Sequence, residues 1–170
     1  MKFSALVSTS LLALASTAPV DSNIPYHYEV NSTSATLDGQ PFLQDASVIV
    51  EQGGPFAITL NPENWALFTD TLYNHTGLTP KSPKGLLVIE CARAEDAKFE
   101  VNIHGQVFHF TGKEIVKPDP DHLGFCSLNV WKKIIDANYF GQQFIDNVLH
   151  GKTLPGKWLG PGPKPSNWRD

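Results

Sequence analysis

A carboxylate and two glycines stand between two apolar runs: Glu51-Gln52-Gly53-Gly54-Pro55 separates Ser47-Val48-Ile49-Val50 from Phe56 to Leu60. Continuous apolar runs this short are typical of strands buried on both faces. The loop joining them must be tight and lie close to other backbone, which glycine tolerates best. A carboxylate held there is placed either for acid–base work on a bound substrate or to accept backbone N–H groups across the turn. Other chemistry finds less footing. His104 and His109 fall in one hairpin and His122 in a loop, with no carboxylate-rich spacing to complete a metal site. Asp119-Pro120-Asp121 reads as a solvated turn. There is no G-x-S-x-G nucleophile elbow, and Gly53-Gly54 runs into Pro55 rather than the Lys-Ser of a phosphate-cradling loop. No metal and no cofactor is expected.

The elements that must hold this loop are strands. Of 170 residues, 41% are apolar and only 18% charged, with 13 Gly and 13 Pro, a composition that favours turns and strands over long helices. Tyr26, Tyr28 and Val30 alternate with polar residues, and Asp38-Gly39 is a hairpin signal. Asn61-Pro62-Glu63 starts a helix, with Asn as N-cap and Pro in the first turn. Trp65, Phe68 and Leu72 give it one apolar stripe, and it should fade near Tyr73-Asn74. A polar loop over Thr79 to Lys84 precedes a buried-type strand, Leu86 to Ile89, which runs into Cys91. Phe99, Val101 and Ile103 alternate, His104-Gly105 turns, and Val107 to Phe110 returns. Pro118 to His122 reads as loop and Phe125 to Val130 as a strand carrying Cys126.

The net charge of -4, from 13 basic and 17 acidic side chains, leaves no footprint for nucleic acid. Residues 1–18 read as a secretory signal: Lys2, an apolar stretch from Ala5 to Ala15, and small-x-small cleavage points after Ala15 or Ala18. The polar Ser8-Thr9-Ser10 breaks that stretch too early for a membrane span, so no membrane association is expected after its removal. Asn31-Ser32-Thr33 and Asn74-His75-Thr76 fit the N-glycan acceptor pattern. Cys91 and Cys126 are an even pair, for which a disulfide is the default in an oxidising compartment. Residues 19–150 make the domain. Residues 151–170, rich in Gly and Pro and poor in aliphatics, are expected to be a flexible tail.

The order of these features resembles the carboxy-terminal lobe of pepsin-like aspartic proteases, over about Tyr26 to Val148. The features are the Tyr28-Glu29-Val30 strand, the Leu37-Asp38-Gly39 turn and Val48-Ile49-Val50 entering an acidic-x-Gly loop. The Pro-initiated helix, the strand into Cys91, the hairpin through Gly105 and Cys126 follow in order. Tyr139-Phe140-Gly141-Gln142-Gln143-Phe144-Ile145 looks like the family's late apolar-apolar-Gly segment, which packs beside the catalytic loop. The resemblance implies an all-β single lobe with one or two short helices and a bond between the two cysteines. It also aligns Glu51, Gln52, Gly53 and Gly54 with the family's Asp-Thr-Gly-Ser or Asp-Thr-Gly-Thr loop.

In that family two aspartates, one per lobe, share a proton and activate water, because two close carboxylates cannot both ionise cheaply. Here Glu51 adds a methylene, and a displacement of about an ångström costs roughly a hundredfold in rate. Gln52 replaces a hydroxyl that bonds across to the other lobe, Gly54 lacks the hydroxyl that orients the carboxylate, and Gln142 stands where the family often has Asp. The family's first aspartate and flap belong to the amino-terminal half. The expectation is therefore a secreted, non-catalytic lobe that acts by binding or has no retained peptidase role, its partner a polypeptide or a second copy through the lobe face. The alternative is an aspartic-type endopeptidase completed by a homodimer partner or a separate amino-terminal lobe.

Overall fold

The computed structural model describes residues 27–77, 86–119, 123–150, 154 and 156–160. The expected leader at 1–18 lies outside them, as do the whole expected loop over 79–84 and positions 120–122 of the second expected loop. Strands dominate: β1 (His27–Leu37), β2 (Gln40–Glu51), β3 (Ile58–Leu60), β4 (Leu86–Glu90), β5 (Lys98–Ile103), β6 (Gln106–Thr111), β7 (Val116–Pro118), β8 (Phe125–Lys132), β9 (Asn138–Phe140) and β10 (Lys157–Gly160). Helix α1 spans Pro62–Thr76 and α2 Cys91–Asp96, while α3, Gln142–Phe144, continues as a π-helical turn over Ile145–Leu149. This is the all-β lobe expected from the sequence, with three helical stretches.

Local chemistry sets most boundaries. Asp38 and Gly39 take positive φ (49° and 77°), as do His104 and Gly105 (50° and 81°), the twist that closes a two-residue hairpin. Asn61 caps α1 by accepting from the Asn64 N–H at 2.9 Å. The helix runs two residues past its expected end, to Thr76, where Gly77 at φ 65° donates to the Tyr73 carbonyl. Pro118, expected in a loop, instead ends β7, paired with Cys126. Lys157–Gly160, inside the segment expected to be a tail, pairs with β1 as β10.

The ten strands form one sheet in the order β4-β8-β3-β9-β2-β1-β5-β6, with β10 on β1 and β7 on β8. Its decisive feature is β9, which lies between β2 and β3 although those two follow each other in the chain. It is parallel to β2, with Val50 opposite Phe140, and antiparallel to β3, with Ile58 opposite Phe140. The connection from Glu51 to Ala57 must therefore arch over the end of β9. Under that arch runs a chain of phenylalanine rings. Phe140 stacks on Phe144 (4.1 Å between centroids), Phe144 meets Phe110 (5.8 Å), and Phe110 stacks on Phe99 (4.9 Å). Phe99 and Phe42 both reach Phe68 of α1. Each such ring buries roughly 150–250 Å² of apolar surface.

One core position works against this. Thr33 is fully buried, where β1 shifts register, and its hydroxyl has no hydrogen-bond partner. A buried hydroxyl left unpaired costs about 1–3 kcal/mol. Thr33→Val keeps the shape and removes the hydroxyl, so it is expected to raise the unfolding free energy by about 1 kcal/mol. Urea titration of protein without glycan checks it. A loss of stability would mean that the hydroxyl is satisfied.

Candidate functional site

Glu51 closes β2 and stands opposite His27 of β1. Alternation on these strands buries Tyr28, Val30, Val48 and Val50, and turns His27, Glu29, Ile49 and Glu51 to the other face. On that face the Glu51 carboxylate, about a third exposed, pairs with His27: Oε1 lies 3.4 Å from Nε2. Its polar partner among the described residues is thus an imidazole and not a second carboxylate. A carboxylate–imidazole pair can shuttle a proton, but it is not the shared-proton pair of acids that the family's hydrolysis uses.

The loop beyond Glu51 is held from the far side by the start of α3. The Gly53 N–H donates to Gln142 Oε1 at 2.9 Å, and Gln142 Nε2 donates to Asp146 Oδ1 at 2.7 Å. The Gln142 N–H reaches the Gly54 carbonyl at 3.3 Å, and the Gly141 N–H reaches the Ala57 carbonyl at 2.9 Å. The late apolar-apolar-Gly segment does pack beside the acidic loop, as the sequence led one to expect. Gln142 spans the gap with both ends of its amide, one accepting and one donating.

Glu51 and Gly54, the two positions at which the resemblance implies Asp and Ser or Thr, lie against each other. A Cβ placed on Gly54 would lie 3.2 Å from the Glu51 carboxylate Oε2, 3.2 Å from the Glu51 carbonyl and 3.2 Å from the Gly141 Cα. The longer acidic side chain bends back over position 54, and the glycine there leaves it room. A serine or threonine at 54 would contest that space.

Sequence reasoning missed His27, whose role depends on strand pairing alone and leaves no local signal. It also missed Asp146, for which the Gln142–Asp146 spacing of four along a helical turn was a usable signal. Gln52 is half-buried in the loop and has no side-chain partner among the described residues. The other predicted positions lie apart. Cys91 and Cys126 are bonded, joining the head of α2 to β8. Asn31 and Asn74 are both exposed, on β1 and α1. His104 sits in the β5–β6 turn and His109 lies 3.6 Å from Glu100, while His122 is outside the described residues. Among the described residues no three metal-ligating side chains converge, and no helix is long and apolar enough to cross a membrane.

No family model and no curated protein sequence matches the chain. Solved structures do. The chain is similar to basic 7S globulin from soybean, with a TM-score of 0.56 and 11% identity over 72% of this chain and 36% of that one. It is similar also to conglutin gamma, a unique basic 7S globulin from lupine seeds, with a TM-score of 0.56 and 8% identity over 72% of this chain and 35% of that one. The chain thus spans about a third of the length of these structures. At such identities the likeness is one of fold. Both globulins have a pepsin-like fold, and the described residues form one all-β lobe of that kind.

Proposed function

We propose that this is a secreted lobe of the aspartic-protease type that works by binding a polypeptide and does not itself cleave peptide bonds. The observation that carries the reading is the Glu51–His27 pair: the residue at the family's aspartate position is engaged by an imidazole on its own sheet. The Glu51 carboxylate also lies against position 54, with Oε2 3.2 Å from where a Cβ would stand. Both arrangements leave it off the position that hydrolysis needs, and catalytic groups must be held to about 0.5 Å. The two similar structures are globulins by name, which agrees with a lobe of this fold put to use without peptidase chemistry. Export is supported by the leader-like residues 1–18 and by the disulfide, a bond that persists in oxidising compartments. The exposed Asn31 and Asn74 are the proposed glycan acceptors.

The purified protein is expected to leave a denatured protein substrate intact at acidic pH over hours of incubation. Pepstatin-sensitive cleavage would sink the reading. A second reading keeps a peptidase: two copies, or one copy and a separate amino-terminal lobe, bring two acidic loops together about a twofold axis. What favours it is that the loop scaffold is intact, since Gly53 and Gly141 still hold the arch over β9. The triple change Glu51→Asp, Gln52→Thr and Gly54→Ser restores the family's loop. Activity gained in that variant, together with dimer formation by sedimentation, would favour the second reading.

A further inference from the structure

The face that carries His27 and Glu51 also bears a cavity. The outer side of β1 and β2, the start of α1 and the loop over 133–137 enclose an open groove of about 650 Å³. Its apolar lining is Ile49 and Leu67 with two alanines, and Glu29, Glu63 and Asp136 come from three different elements. Among the described residues no Lys, Arg or His lines it.

Acidic side chains on a surface do not make a site, but Asn138 adds a second observation. It lines the groove although only 5% of it is exposed. Its Oδ1 accepts from the Asn61 N–H and from Asn64 Nδ2, both at 3.1 Å, which fixes the orientation of the amide. Its Nδ2 has no acceptor among the described residues, so with Oδ1 engaged it is the donor left over on a residue that lines the groove.

Two of the carboxylates are also held in place. Glu29 Oε1 accepts from Ser47 Oγ at 2.5 Å, and Asp136 Oδ1 accepts from Asn61 Nδ2 at 2.8 Å, so each has a second oxygen to spare. Among the described residues no cation pairs with them. Lys157 stands opposite Glu29 in register without an ion pair among the described residues, and the Lys133 ammonium lies 3.7 Å over the Tyr139 ring.

We propose that this groove binds a basic, extended segment of polypeptide. Lys or Arg side chains would meet Glu29 at one end and Asp136 with Glu63 at the other, and a backbone carbonyl would accept from Asn138 Nδ2. Glu29 is two strands from β9, about 10 Å, a span that flexible Lys side chains two or four residues apart on one face of an extended chain, about 7 and 13 Å, can cover. Among the described residues no aromatic ring lines the groove, so none of them offers the stacking platform typical of sugar sites. The inference rests on the reading of the lobe as a polypeptide binder and names the kind of polypeptide.

The test titrates a labelled octapeptide of alternating Lys and Ala into the full, oxidised protein. An alternating Glu-Ala peptide and spermidine serve as comparators. The basic peptide is expected to bind in a salt-sensitive way and the acidic one not to bind. The double variant Glu29→Gln/Glu63→Gln should weaken binding about tenfold. The charge-matched pair Asp96→Asn/Glu100→Gln, outside the groove, should change it less than about twofold. In a nitrogen-15 spectrum the Asn138 side-chain amide should move as peptide is added. Equal weakening by both double variants would reduce the effect to net charge and overturn the site, as would an Asn138 amide that stays still. Spermidine displacing the peptide at equal concentration would overturn the polypeptide assignment. If only neutral or acidic peptides bind, the groove fails and the binding lobe stands. If the basic peptide binds and is cut, the groove stands and the non-catalytic reading fails.

Discussion

Gly141→Ala is expected to lower the unfolding free energy by about 3 kcal/mol or more, the upper range for forcing atoms into a packed site. The backbone conformation is not the obstacle, because Gly141 has φ -98° and ψ -169°, open to any residue. Space is. A Cβ there would lie 2.0 Å from the Phe56 carbonyl oxygen and 3.1 Å from that of Gly54, both backbone atoms of the arch over β9. Those atoms cannot rotate away as a side chain would, and the Gly141 N–H to Ala57 bond holds them down. Gly53, in the same arch, presents the opposite case. It has φ +80° with nothing within 4 Å of a built Cβ, so Gly53→Ala meets only the left-handed penalty of about 1–2 kcal/mol. Urea unfolding of both variants separates the two causes. If Gly141→Ala costs no more than Gly53→Ala, the connection from Glu51 does not press on the end of β9, and the description of the site falls with it.

That contrast marks how far the sequence could be read. Gly53-Gly54 between two apolar runs already announced a tight loop, and Asp38-Gly39 and His104-Gly105 announced hairpins, because turn chemistry is local. Asn61-Pro62 placed the start of α1 to the residue. What stayed hidden was non-local. Asn138–Phe140 makes only three residues of strand, too few for any periodicity, and its place between β2 and β3 is decided by pairing on both sides. β10 was hidden because Gly and Pro dominate its surroundings, and pairing with β1 supplies what the local composition lacks. The same holds for the site. The Glu51 carboxylate could be singled out from its neighbours in sequence, but His27 meets it only through the β1–β2 register. The Glu51 and Gly54 departures also looked like two independent losses until the carboxylate was found lying over the glycine.

Loss of the Cys91–Cys126 bond is expected to cost about 3–4 kcal/mol, from the entropy that a cross-link over a separation of 35 residues removes from the unfolded chain. Against a typical stability of about 5–15 kcal/mol, that is a large share. The loop it closes contains α2 and the whole β5–β6 hairpin, and its ends meet where β4 pairs β8, with Ile89 opposite Cys126. That pairing and the Cys91 N–H to Gly124 carbonyl bond hold the two ends together when the sulfurs are parted. The folded state should therefore survive reduction with its strand content unchanged, and the change should lie in the unfolded state. Cys91→Ala/Cys126→Ala tests this without introducing a buried hydroxyl at Cys126, which is 2% exposed. The urea midpoint should fall and the slope of the unfolding line should rise, since an uncrosslinked chain exposes more surface. Strand circular dichroism in water should match that of the oxidised protein. An unchanged midpoint would mean that the β4–β8 contact already persists in the unfolded chain, and that the bond constrains nothing the sheet does not hold by itself.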